Sequence, residues 1–341
     1  MTAGPGADAA LIEMMDAVFA GHREKCPPTT TVQRDPDLWR HLDELGLVRL
    51  TGDEQHGGSG AGWAEAAELL AAAVRHGVRI PLAEHDLLAC WLLDAVGVPV
   101  DDAVRTVCVL DTQGSAAQVP WAASADRVVL VWRADGQYRV ADVARATLTI
   151  TAGVNLIGEP RDTVAADLAA LEGTPAGPAL ITQLGLKSGL VRAIQVCAAL
   201  DRILQLCVEH STSRVQFGRP LAKFQAVGNL VSDIATEAAL ARATTEAALS
   251  AGMASQWSGP NLGFLVAVAR SCAGHATSVA VRNAHQVHGA MGTTREHRLH
   301  EFTRAALAWR SEFGSVGYWD RQVTDNAMHA SAGGLWSLIT G

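Results

Sequence analysis

In the second half of the chain, apolar residues return every three or four positions. Leu200, Ile203, Leu204, Cys207 and Val208 form one such stripe. Val227, Leu230, Val231, Ile234, Ala238 and Ala241 form a second, and Leu262, Leu265, Val266, Ala269, Ala273, Ala276, Val279 and Ala280 a third. This period puts each set on one helical face, and long Ala-rich stripes predict helices packed closely as an antiparallel bundle. A further helix is predicted from about Glu296 to Trp309. Before the bundle the pattern changes to β-branched runs at Arg105–Leu110, Arg127–Trp132 and Gln137–Val143, with a weaker one at Leu148–Ile150. Asp135-Gly136 between the second and third runs is a hairpin signal. These runs predict a small antiparallel β-domain that ends in a linker near residues 172–179.

The N-terminal third reads as helical. A Gly/Pro/Ala start leads into a short amphipathic helix from Leu11 to Phe19, ended by Cys26-Pro27-Pro28. Asp35 and Pro36 are start signals for a helix over Asp37–Leu45, and Gly46 stops it. Helices are also predicted over Trp63–His76 and Glu84–Ala95. The run Thr51–Gly62 is polar and Gly-rich, but it has neither dinucleotide-fingerprint spacing nor a P-loop Lys, and it reads as a flexible connection. The pattern gives an α+β chain with a helical domain (1–103), a reduced middle β-domain (104–175) and a C-terminal helical bundle (176–341).

Composition narrows the function classes. The net charge is −8, so no basic surplus favours nucleic acid or an anionic membrane. The six cysteines fall at no metal or disulfide spacing and lie mostly in apolar runs, which predicts reduced core thiols in a cytoplasmic protein. The acidic N-terminus does not read as a signal peptide. No charge-free apolar run reaches transmembrane length.

Chemistry concentrates in Arg214-Val215-Gln216-Phe217-Gly218-Arg219-Pro220-Leu221, followed by Lys223-Phe224-Gln225. Gly218 and Pro220 alone would make an ordinary interhelical turn with Arg214 solvated. The alternative is a dinucleotide phosphate clamp. An Arg fork matches phosphate oxygens, Gln216 adds amide donors, Phe217 offers a flat face, and Pro220 suits the first turn of the next helix. A second stretch, Gln286-Val287-His288-Gly289-Ala290-Met291-Gly292, favours the clamp. Together the two stretches resemble the acyl-CoA dehydrogenase family, which carries an R-x-[QT]-F-G segment between two bundle helices and a Gln- and Gly-rich segment later. Trp39–Leu47, Gly57-Gly58-Ser59-Gly60 and the acidic helix from Glu65 extend the likeness to the N-terminal third.

The resemblance implies an N-terminal helical domain, a middle β-domain and a C-terminal four-helix bundle. It also implies FAD chemistry on an acyl-CoA thioester: a carboxylate takes the α-proton and the flavin takes the β-hydride. A Glu in a dry pocket has the raised pKa that suits such a base. The family places this Glu at one of two positions, which here are Phe313 and Ser188. Neither is a carboxylate. Glu312 is one residue off, about 100° around a helix, and reads more readily as a solvated charge. The family's T-E-P-x-x-G-S-D segment, which holds the flavin ring, corresponds to Leu110-Asp111-Thr112-Gln113-Gly114-Ser115, where a Gly-Ser pair alone echoes it.

The half of the cofactor site that a bundle supplies therefore looks intact, and the half that a β-domain supplies looks degraded. In this respect the chain is similar to the small subunit of the α2β2 acyl-CoA dehydrogenases of actinobacterial steroid side-chain degradation. The resemblance implies that Arg214, Gln216, Phe217, Gln225, Gln286 and Gly289 hold the adenosine-diphosphate half of an interface FAD. A larger partner subunit would supply the catalytic Glu, and an electron-transfer flavoprotein would accept the electrons. Two alternatives stay open: a self-sufficient homotetrameric enzyme, with Glu312 as the base, and a catalytically silent assembly subunit. His297 and His300 lie beside Glu296 and Glu301 without a zincin motif, so no metal site is expected. Arg295, Arg298, Arg304 and Arg310 read as surface or interface.

Overall fold

A computed structural model describes residues 8–27 and 31–340. The Gly/Pro/Ala start and Pro28 lie outside the described residues. The chain forms two compact units, Met1–Lys187 and Ser188–Gly341.

The first unit opens with α1 (Ala9–Lys25) and α2 (Pro36–Glu44). Asp35 caps α2 through its carboxylate, accepting from Asp37 N at 2.9 Å and Leu38 N at 3.1 Å. α1 is longer than its apolar stripe at both ends: Asp8 caps its start, accepting from Ala10 N, and the helix runs on to Lys25. The Thr51–Gly62 run is not a loose connection. Ser59, Gly60 and Ala61 donate to the carbonyls of Arg49, Gly52 and Leu50. A Cβ on Gly58 would lie 2.1 Å from the Gly52 carbonyl group, so glycine is what lets the loop fold on itself. α3 (Trp63–His76) follows as expected.

The predicted helix over Glu84–Ala95 is π-helical over Ala83–Cys90 and becomes α only at α4 (Trp91–Ala95). The wider turn carries Glu84, His85 and Asp86 inward, all buried. Asp86 accepts from Thr51 N at 3.0 Å and Thr51 Oγ1 at 3.1 Å. The Lys187 ammonium lies 4.8 Å from the Trp63 ring centre and 4.2 Å from that of Trp91. Burial pushes this ammonium down to about 7, and the two indole faces act in the opposite direction.

Burial also pushes the Asp86 carboxyl up to about 6 from an ordinary 3.8, against the pull of the Thr51 bonds. The folded chain thus holds this proton more tightly than the unfolded chain. The resulting stabilisation is full below pH 3.8 and is lost as the pH rises through 6. The wild-type stability minus that of Asp86→Asn, read by denaturant titration, is expected to fall by about 3 kcal/mol across that window. A flat difference would refute the buried-carboxyl assignment.

Seven strands follow: β1 (Arg105–Val109), β2 (Ser115–Pro120), β3 (Arg127–Ala134), β4 (Gln137–Ala144), β5 (Thr149–Thr151), β6 (Arg161–Ala165) and β7 (Thr174–Ala176). One sheet runs β1-β3-β4-β7 and the other β2-β6-β5. The Asp135-Gly136 hairpin is present, with φ of 50° and 78°. The expectation of an antiparallel domain needs one correction: β1 and β3 are parallel, with Arg105 opposite Arg127. β2 diverts to the other sheet between them. The predicted linker also contains a strand, since β7 pairs with β4. Val128, Leu130, Trp132 and Val164 are buried in the core of this region.

The second unit holds most of α5 (Pro178–Ser213), then a two-stranded hairpin, α6 (Gln225–Ala254), α7 (Leu262–His288), α8 (Leu299–Trp309) and α9 (Val316–Thr340). This unit is helical, as the apolar stripes predict. α7 is its central helix, with Val266, Ala269, Ala273, Ala276 and Ala280 at zero exposure. The Leu262–Thr293 stretch is long and apolar enough to cross a membrane, yet most of its apolar window is buried inside the protein, as a core helix requires. α9 has no counterpart among the predicted stripes. All six cysteines are free thiols, with Cys26 exposed and Cys272 half-buried.

Candidate functional site

Arg214 follows the last turn of α5, and its backbone N–H still donates to His210 O at 2.9 Å. The chain then forms a hairpin, β8 (Val215–Gln216) against β9 (Arg219–Pro220), closed by Leu221 N donating to Arg214 O at 2.9 Å. Phe217 and Gly218 make the turn with φ of 52° and 79°, the double positive of a type I′ hairpin. Pro220 is therefore a strand residue and not the start of the next helix. α6 begins at Gln225, after a single 3-10 turn over Leu221–Lys223.

This hairpin is costly by the standards of a stable turn. A bulky residue in the left-handed region costs about 1–2 kcal/mol. Phe217 is also 93% exposed, touching Phe224 edge-on with ring centres 6.2 Å apart. Strain and an exposed aromatic ring on one residue point to a contact made outside the chain. Arg219 lies over the Phe224 ring at 4.1 Å, which stiffens the other arm. The Gln216 amide donates to the Val215 carbonyl at 2.8 Å. The Arg214 guanidinium is exposed and makes no hydrogen bond or ion pair among the described residues. The Gln225 side chain is likewise exposed on the first turn of α6, and no side chain caps that helix. Its leading N–H groups and the positive end of its dipole are thus available to an anion.

The second stretch ends α7. Gln286 is exposed. Gly289 stops the helix at φ 57° and ψ −140°, a conformation that glycine adopts readily. A Cβ there would meet nothing within 4 Å, so backbone geometry, not crowding, demands the glycine. The side of the chain it leaves open can be approached closely. Two imidazoles bring the stretches together: His210 of α5 stacks on His288 of α7, with ring centres 4.5 Å apart. The hairpin and the Gly289 turn therefore leave neighbouring helix ends.

In the first unit, the segment that would face a flavin ring is occupied with itself. Asp111 Oδ1 accepts from Gln113 N at 2.8 Å and from Ser115 N at 2.9 Å, and Asp111 N donates to Ser115 O at 2.8 Å. Gly114 N donates to Asp111 O at 3.1 Å. The backbone donors that such a segment would turn toward a ring are spent on its own carboxylate. The donor set of the hairpin fits the adenosine-diphosphate half of a dinucleotide, and that of the 110–115 turn does not fit the ring half.

The two base positions hold no carboxylate, as the sequence states. Ser188 is buried on α5. Phe313 sits at φ 51°, with the Arg192 guanidinium 4.9 Å from its ring centre. Glu312 is not a solvated charge. Its carboxylate accepts from Arg192 Nε at 2.7 Å, with side-chain exposures of 13% and 1%. The buried Arg270 donates to the carbonyls of Arg310, Glu312 and Gly314 at 3.0, 2.8 and 3.2 Å. Burial, and then the like charge of Arg192, push its guanidinium down to about 9, with Glu312 opposing. The Glu312 carboxylate is thus committed to Arg192, while Arg270 holds the backbone of the same turn. Sequence reasoning missed this triad, although an arginine inside the apolar α7 stripe was the available signal.

A family profile described as the acyl-CoA dehydrogenase C-terminal domain matches residues 184–325. The chain is similar to acyl-CoA dehydrogenase IpdE2 of Mycobacterium tuberculosis, at 30% identity over 277 residues, covering 80% of each chain. In fold it is similar to a chain of the ChsE4-ChsE5 complex from Mycobacterium tuberculosis, with TM-score 0.82, 23% identity, and coverage of 95% of this chain and 97% of that one. It is also similar to a chain of a Tcur3481-Tcur3483 steroid ACAD variant, with TM-score 0.82, 20% identity, and coverage of 95% and 98%.

Proposed function

Because the chain belongs to the acyl-CoA dehydrogenase family of FAD-dependent oxidoreductases acting on CH–CH bonds, we propose that it is the cofactor-holding subunit of a heteromeric member. It contributes the adenosine-diphosphate half of an interface FAD site, and a larger partner contributes the catalytic Glu. The observation that carries this reading is the asymmetry of the two donor sets. The Arg214–Gly218 hairpin presents an unengaged Arg214 guanidinium and an exposed ring, whereas the Asp111–Ser115 turn consumes its own donors and Phe313 stands where the base would be.

When bound, the flavin supplies the hydride acceptor for α,β-desaturation of an acyl-CoA thioester. The residues of this chain bind and orient it. Arg214 offers a fork to the pyrophosphate, with Gln216, Gln225 and Gln286 adding amide donors. Phe217 offers a face to a flat group, and Gly289 lets backbone approach. A fold neighbour is a complex of two differently named chains and another is described as a steroid ACAD. These neighbours support an α2β2 assembly and a bulky substrate such as a steroid side-chain CoA ester. We place the assembly in the cytoplasm, with an electron-transfer flavoprotein as acceptor.

The test is the visible spectrum and native mass of the chain, alone and then co-expressed with the larger partner. A colourless lone chain is expected, with flavin and an α2β2 mass appearing only with the partner. A yellow homotetramer from the lone chain would sink the split-site reading.

A further inference from the structure

Three imidazoles that the flavin reading does not use converge in the second unit. His210 lies on α5, His288 is the last residue of α7, and His297 lies in the turn before α8. One ring nitrogen from each lies within 4.8 Å of the others. His288 stacks on His210 and meets His297 edge-on, with ring centres 4.5 and 4.6 Å apart. His288 is 4% exposed. Its Nδ1–H donates to the Ala284 carbonyl at 2.8 Å, which fixes the tautomer and leaves a lone pair on Nε2. That Nε2 is buried and has no hydrogen-bond partner among the described residues.

An unpaired buried acceptor is costly, whereas a backbone carbonyl on the far nitrogen is the arrangement that orients a metal-ligating histidine. Burial also holds all three rings toward the neutral form that ligates. Cys207 Sγ lies 3.9 Å from His288 Nδ1, the nitrogen engaged with Ala284 and not the one left open.

We propose that His210, His288 and His297 bind one divalent transition-metal ion of the zinc class, through His288 Nε2 and one ring nitrogen of each partner. Three neutral imidazoles with an open fourth position suit such an ion. Tetrahedral binding needs nitrogens about 3.4 Å apart. The half-buried His210 and His297 must therefore swing inward, His210 out of its 25° stack. His297 must also either release the 3.2 Å bond that Nδ1 accepts from Leu299 N or turn its ring over. The ion would pin the end of α5, one turn before Arg214, to the end of α7, one residue before Gly289.

The test loads the untagged 341-residue chain, previously stripped with chelator, with Zn2+ or Co2+ and measures metal retained after gel filtration. This readout is independent of flavin. One ion per chain is expected, with tetrahedral visible bands for Co2+. Affinity should fall on the order of 100-fold in His297→Asn and in His210→Asn, both half-buried positions where folding is checked by circular dichroism. Cys26→Ser, which alters the separate His22, Cys26 and Asp35 cluster, should leave binding unchanged. Substoichiometric retention, full binding in both histidine variants, or loss in Cys26→Ser alone would overturn the proposal.

Discussion

Replacing Arg214 by Ala is expected to strip flavin from the assembled complex while leaving the assembly intact. The guanidinium is exposed and has no partner among the described residues, so its removal leaves no orphaned group in the chain and should move the melting temperature little. Loss of one charge-assisted fork to a pyrophosphate is worth about 3 kcal/mol, or roughly 100-fold in flavin affinity. Arg214→Lys should recover only part of this, because a point charge does not reproduce the planar fork. Phe217→Ala gives the complementary result: it removes an exposed ring and leaves the left-handed backbone as it was, so the isolated chain should lose little stability while flavin dissociates faster. The measurement is bound flavin per complex after gel filtration, alongside the native mass. Unchanged flavin in Arg214→Ala would refute the clamp. Flavin loss accompanied by dissociation would instead make the hairpin an assembly element.

What the sequence revealed follows the strength of each local signal. The stripes of α5, α6 and α7 were legible because tens of residues repeat one period and nearly every position on the inner face of α7 is buried. α9 was not legible. Its Met328, Leu335, Trp336 and Ile339 are exposed, so apolar residues there do not mark one inner face. β2 and β6 escaped notice for different reasons. β2 breaks its alternation at Gln118, which has φ 57°. β6 starts with buried Arg161 and Asp162, polar in sequence but satisfied by Glu159 at 2.8 Å and by Ala123 N at 2.7 Å. The Arg214–Leu221 candidate stood out because its residues are consecutive. The histidine cluster and the Arg192–Glu312 pair depend on residues far apart in the chain, and only folding brings their partners together.

Neutralising Glu312 is expected to damage the second unit more than any change at the hairpin. Arg192 and Arg270 are each 1% exposed, and the Glu312 carboxylate bonds the first and opposes the charge of the second. Glu312→Gln removes the charge that opposes these two buried cations and breaks the 2.7 Å ion pair with Arg192, a loss of about 3–5 kcal/mol, or about 10 °C in melting temperature for a unit of this size. The double change Arg192→Met with Glu312→Leu should recover much of that loss, since burying two apolar groups avoids desolvating either charge. A single variant within about 1 kcal/mol of wild type would show that the pair does not hold the turn. The position carried over from the family's base bears on this too. Phe313 lies in that same turn, left-handed at φ 51° and under the Arg192 guanidinium. Gly314 follows at φ 114°, where a Cβ would lie 2.6 Å from Trp319 Nε1. A turn that needs a proton acceptor must leave a carboxylate free. This one holds its Glu312 carboxylate against arginine and covers the next position with a ring, which suits an anchor for α8 and α9 better than a base.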